Sequence, residues 1–65
     1  MMSPTQVIAN LGKSVCLPDG SIYRFTGATI RKDKSGRVFY QAELQDLTAL
    51  RLVKICKLED VEVVD

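Results

Sequence analysis

Four cations crowd into seven positions of the stretch TIRKDKSGRVFYQAEL: Arg31, Lys32, Lys34 and Arg37. Guanidinium and ammonium groups on both sides of a tight turn have the chemistry to grip phosphate. Phe39 follows on the outward parity of an alternating strand, where an aromatic face beside cations suits a stacked base. Arg24, outward on the preceding strand, extends the patch. Three observations weigh against a phosphate grip. Asp33 dilutes the charge, charged hairpin tips are ordinary, and nine basic residues against eight acidic leave a net charge of only +1. Domains dedicated to nucleic acid are strongly basic, whereas this chain has a pI of about 7.8. The favoured reading of the tip is a solvated hairpin end. Phe39 supports a second chemistry, that of an interface anchor among long polar chains. Its competitor is burial under Val7, Ile8 or Leu11 of a short helix, and that cover is the preferred expectation.

Catalytic chemistry fails on inventory. The chain has no histidine, so there is no imidazole base and no Ser-His or Cys-His pair. Glu59 and Asp60 are adjacent in a turn and point apart. GATIRKDKSG lacks the spacing and following helix of a phosphate-binding loop. Cys16 and Cys56 are too few for a zinc site without histidine. They are expected as two reduced thiols on adjacent strands. A domain this small rarely encloses a pocket of a few hundred cubic ångströms. The expectation is no enzyme, no cofactor, no metal and no small-molecule substrate.

Sixty-five residues, 46% apolar and 26% charged, describe one globular domain near the lower size limit for folding alone. No apolar run approaches the roughly 18 residues that span a bilayer. The N-terminus lacks the pattern of a secretory signal, and Met1-Met2 reads as a doubled start. These features place the chain in the cytoplasm. The last residues hold four acids, Glu59, Asp60, Glu62 and Asp65, so the molecule is read as dipolar although nearly neutral.

The elements that must position these groups are short. Ser3-Pro4 starts a helix of about two turns, with Val7, Ile8 and Leu11 on one face and Gly12 ending it. Residues 1–12 form this helical unit, packed on a β domain over 13–65. SVCLP and SIYRF flank the turn Pro18-Asp19-Gly20. The apolar parity of the next strand changes at Gly27, from Tyr23 and Phe25 to Ala28 and Ile30, which predicts a bulge or a positive φ. DKSG closes a hairpin, RVFYQAELQD alternates as a half-buried strand, and DLTALR connects to LVKICKL. One polar turn then leads to a last strand with Val61 and Val63 inward. The expected core is Tyr23, Phe25, Ile30, Val38, Tyr40, Leu44, Val53, Ile55 and Val61.

The bent strand YRFTGATI, the hairpin DKSG and the single-turn link KLEDVEVV make the order of elements resemble a Src-homology-3-like small barrel over about 13–65. The fold class that follows is mainly all-β, a five-stranded barrel with a short N-terminal helix; a five-stranded oligonucleotide-binding barrel is the competing architecture. The peptide-binding branch of the resembled fold uses a tryptophan-walled groove. This chain has no tryptophan, and that activity is not carried over. The Tudor-like and KOW-like branches imply partners among nucleic acids or ribosome-associated proteins. The reading is a non-catalytic binding module for another protein or for itself. Its alternative is a nucleic-acid-binding barrel using the 31–37 hairpin. The candidate partner-binding residues are Arg24, Arg31, Lys32, Lys34, Arg37 and Phe39, and no membrane is implied.

Overall fold

One local device ties three turns of this chain. An aspartate carboxylate accepts hydrogen bonds from the N–H and the hydroxyl of the residue two places on. Asp19 takes them from Ser21 at 2.9 and 2.5 Å, Asp33 from Ser35 at 2.9 and 2.6 Å, and Asp46 from Thr48 at 2.7 Å for both. Such turns substitute a side-chain acceptor for the missing ladder partner and let the chain reverse without orphaned donors. In the hairpin, Gly36 supplies the positive φ of 90° that the reversal demands.

The structure, a computed structural model, describes residues 1–48 and 52–64. A 3₁₀ turn, Pro4–Gln6, leads into helix α1, Val7–Asn10. Five strands follow: β1 (Ser14–Cys16), β2 (Ile22–Lys32), β3 (Val38–Asp46), β4 (Val53–Lys57) and β5 (Glu62–Val63), with a 3₁₀ turn, Leu58–Asp60, before the last. All pair antiparallel in one sheet of order β4-β3-β2-β1-β5. The fold is therefore mainly β, with a short N-terminal helix, as expected. Among the described residues no ladder joins β4 to β5, so the sheet is open where a closed barrel was expected. Part of the connector over 46–51, and Asp65, lie outside the described residues.

The bulge is where the parity change put it. The β2–β3 register shifts between Phe25 and Gly27, and the Thr26 hydroxyl donates to the Glu43 carbonyl at 3.0 Å. The positive-φ glycines are Gly12, Gly20 and Gly36, so Gly27 acts through space rather than handedness. A Cβ there would stand 3.2 Å from a Glu43 carboxylate oxygen.

The core consists of Met2, Val15, Leu17, Phe25, Ala42, Leu44, Leu58 and Val61, with Val7, Tyr23, Ala28, Tyr40, Cys56 and Val63 packed against it. Phe25, Leu44, Val15 and Val61 have the largest fully buried side chains, each stabilising the fold by about 1.5–3 kcal/mol relative to exposure. Four expected core residues are out in solvent. Ile30 is 69% exposed, Val38 53%, Val53 62% and Ile55 49%. For Ile30 and Val38 the cause is length: β4 covers only 41–45 of β3 and β1 only 22–24 of β2. The distal hairpin thus projects beyond the core as a two-stranded ribbon. For Val53 and Ile55 the cause is parity. Ala42, which is buried, lies opposite Cys56, and Leu44 opposite Lys54. The inward set of β4 is therefore Lys54 and Cys56, and the apolar pair faces out.

The helical unit also departs from expectation. Val7 packs on the core, but Ile8 is 85% exposed and Leu11 is exposed too. The Gln6 side chain accepts from the Ser3 N–H at 3.0 Å, and the Ser3 hydroxyl pairs with that of Thr5. Met2, read as a doubled start, is buried instead.

Candidate interaction surfaces

The bulge and the pairing decide which face each cation takes. Before the bulge Phe25 points inward, so Arg24, opposite Gln45, points outward. Beyond it, Thr29 opposes Gln41 and Arg31 opposes Phe39 on that same outer face. Lys32 opposes Val38 on the other face. Lys34 sits in the turn itself, and Arg37 closes it. The six candidates are thus not brought together as one hand. Arg24, Arg31 and Phe39 share a face, Lys32 lies behind it, and Lys34 and Arg37 flank the tip. Arg31 is further committed by its Nε, which donates to Gln41 Oε1 at 3.1 Å.

Asp33 organises the tip rather than diluting it. Its carboxylate accepts from the Ser35 hydroxyl and N–H and from the Arg37 N–H at 3.0 Å, while its own N–H donates to the Arg37 carbonyl at 2.9 Å. The Ser35 hydroxyl, followed by the Arg37 N–H, holds the Asp33 carboxyl below the usual range. Asp19 is lowered the same way by the Ser21 hydroxyl. The spacing Asp-x-Ser/Thr at 19, 33 and 46 is visible in the sequence. It was the signal that these loops are built.

An open cleft of about 650 Å³ lies where the hairpin meets the turn before β5. Val38, Phe39 and Tyr40 line it from β3, with Met1, Met2 and Leu58 from the chain ends. Arg37 and Lys57 set two cations beside the carboxylates of Asp33 and Glu59. The cleft is open to solvent and not an enclosed pocket. Phe39 is half-buried in this cleft, and Val7, Ile8 and Leu11 are not among its lining residues.

The thiols are free and half-buried, but they are not on neighbouring strands as expected. β2 and β3 stand between β1 and β4, and the two residues fall on opposite faces. Burial, reinforced by the charge of Asp60 and partly opposed by Lys54, pushes the Cys56 thiol up. A thiol so placed is a poor nucleophile at neutral pH.

The outer edge of β4 is a free strand edge of the sheet. The Asp46 N–H donates to the Leu52 carbonyl at 3.1 Å, which makes 46 and 52 a hydrogen-bonded pair. Antiparallel pairs alternate, so Lys54 and Cys56 spend their backbone groups on β3. Val53, Ile55 and Lys57 turn theirs to the free edge. Among the described residues there is no group of three or more His, Cys, Asp or Glu placed to hold a metal ion. No helix there is long and apolar enough to cross a membrane.

No protein-family model matches the chain, and neither a curated protein nor a solved structure shows significant similarity to it.

Proposed function

We propose that this chain is a non-catalytic binding module whose partner is another protein, engaged at the Phe39 cleft. The observation that carries this is the apolar lining of Phe39, Tyr40 and Met1, over the buried Met2, in an open cleft bordered by charges of both signs. Apolar anchors ringed by charge are how protein interfaces combine affinity with orientation. We read the sheet as a half-open member of the Src-homology-3-like barrels. In support are the strand order β4-β3-β2-β1-β5, the bulge that bends β2 and the 3₁₀ turn before β5. Two free thiols support a reducing, cytoplasmic setting.

A second reading, nucleic-acid binding, is favoured by one specific observation: Arg31 and Phe39 are directly opposed on one face, with Arg24 further along it. The scattering of Lys32, Lys34 and Arg37 counts against it. The test is capture of partners from native lysate, with and without nuclease, using the parent chain and Phe39→Ala. The expected result is a protein captured in both conditions by the parent and lost with Phe39→Ala. Capture that disappears with nuclease would instead establish the second reading.

A further inference from the structure

The turn between β1 and β2 carries an inference independent of the Phe39 cleft. We infer that Asp19–Gly20 is a site of spontaneous covalent modification, succinimide and then isoaspartate formation, which the contacts of Ser21 and Leu17 hold closed in the folded chain.

The lability comes from the residue types. Asp19 is the one aspartate or asparagine followed by glycine. Glycine has no side chain to shield its nitrogen from a neighbouring carboxyl. Both residues are exposed, and a Cβ on Gly20 would meet nothing within 4 Å. Sterics therefore leave the reaction open. In it the Gly20 nitrogen attacks the protonated side-chain carboxyl of Asp19. The N–Cγ bond forms, the Cγ–OH bond breaks, and the hydroxyl leaves with the nitrogen's proton as water. A second water then opens the ring. Attack at Cγ restores aspartate, whereas attack at the main-chain carbonyl leaves Gly20 joined through the side chain, as isoaspartate. Nothing but water is exchanged.

Hydrogen bonds supply the restraint. Cγ must swing into near-attack geometry over the Gly20 nitrogen, and that nitrogen must give up its proton. The Asp19 carboxylate is instead held by the Ser21 N–H at 2.9 Å and the Ser21 hydroxyl at 2.5 Å. The Gly20 N–H donates to the Leu17 carbonyl at 2.9 Å. Leu17 is buried, and its own N–H donates to the Ser21 carbonyl at 3.0 Å, so both anchors are fixed to the body of the domain. The Ser21 hydroxyl and N–H also favour the ionised carboxylate, from which no hydroxyl can leave. Asp33 is the internal comparison. Ser35 clamps it in the same way, but the residue after it is Lys34, whose side chain crowds the nitrogen. Opening of the β1–β2 turn is thus the gate to reaction at Asp19.

The test incubates the full chain at neutral pH for several weeks, folded or in guanidinium chloride. Peptide mapping follows with an endoprotease that cuts before aspartate and not before isoaspartate. Isoaspartate should accumulate at position 19 of the unfolded chain, and at least about tenfold more slowly in the folded one. Ser21→Ala keeps the N–H bond and removes the hydroxyl's. Folded, it should convert about tenfold faster than the folded parent; unfolded, it should match the unfolded parent. No isoaspartate at 19 in the unfolded chain overturns the site, and so does equal conversion at Asp33. A folded parent that converts as fast as the unfolded chain overturns the restraint, and this comparison stands without any variant. A folded Ser21→Ala no faster than the parent removes Ser21 from it.

Discussion

The two edges of this sheet are finished differently. β5 is two residues long. Its outward side chain is Glu62, which pairs with the N-terminal ammonium, and Val63 packs inward on the core. β4 is five residues long, its outward residues are the exposed Val53, Ile55 and Lys57, and its backbone turns three sets of hydrogen-bonding groups to the free edge. Short length and charge are how proteins blunt an edge. β5 is blunted by length and charge, whereas β4 is longer and carries its apolar pair among two lysines. Edge finishing in a small sheet is thus set strand by strand.

The largest perturbation should erase the contrast by removing the core that both edges share. Phe25 is fully buried between them, and Phe25→Ala should cost about 3–5 kcal/mol. For so small a domain that is most of the stability. Thermal unfolding followed by circular dichroism should show a Tm lowered by tens of degrees, or no transition. An unchanged Tm refutes the core assignment.

The next perturbation sets the edges directly against each other. Val63→Ala removes packed surface and should destabilise by about 1 kcal/mol. Val53→Ala removes exposed surface and should stay within about 0.5 kcal/mol in dilute solution. Urea unfolding of the two variants side by side checks the difference, and equal losses would mean the edges are not distinct. Gly27→Val acts at the bend between them. Because Gly27 is outside the left-handed region, its cost is displacement of the Glu43 carboxylate. That should be about 0.5–1 kcal/mol, also read by urea unfolding.

The smallest effect belongs to the hairpin tip. Asp33 has a depressed native pKa, so its contribution is present above the ordinary carboxylate value of 3.8. It is lost as pH falls through the lower native value. Amide chemical shifts of Ser35 and Arg37 should move together in an acid titration with a midpoint below 3.8. A midpoint at or above that value refutes the turn geometry.

The strand boundaries were legible because turn residues and alternation mark them locally. The bulge at Gly27 was legible because parity changes sign there. Which face of β4 points inward was not. Alternation gives the relative side of Val53, Lys54 and Ile55, but the absolute side depends on register against Ala42 and Leu44, a tertiary fact. An apolar pair at strand spacing was therefore assigned to the core when it lies on the surface. Met2 was illegible for the same reason: nothing local distinguishes a start residue from a core residue. The Asp-x-Ser/Thr turns were legible and overlooked, because Asp33 was counted as charge and not as an acceptor. Of the candidate residues, the pairing sets Phe39 on one face with Arg24 and Arg31, and the pleat separates Lys32 from them.

Backbone hydrogen exchange along β4 tests the open-edge account most directly. The amides of Lys54 and Cys56 are spent on β3 and should be protected. Those of Val53, Ile55 and Lys57 face the free edge and should exchange freely. Exchange at Val53, Ile55 and Lys57 as slow as at Lys54 and Cys56 would contradict the account.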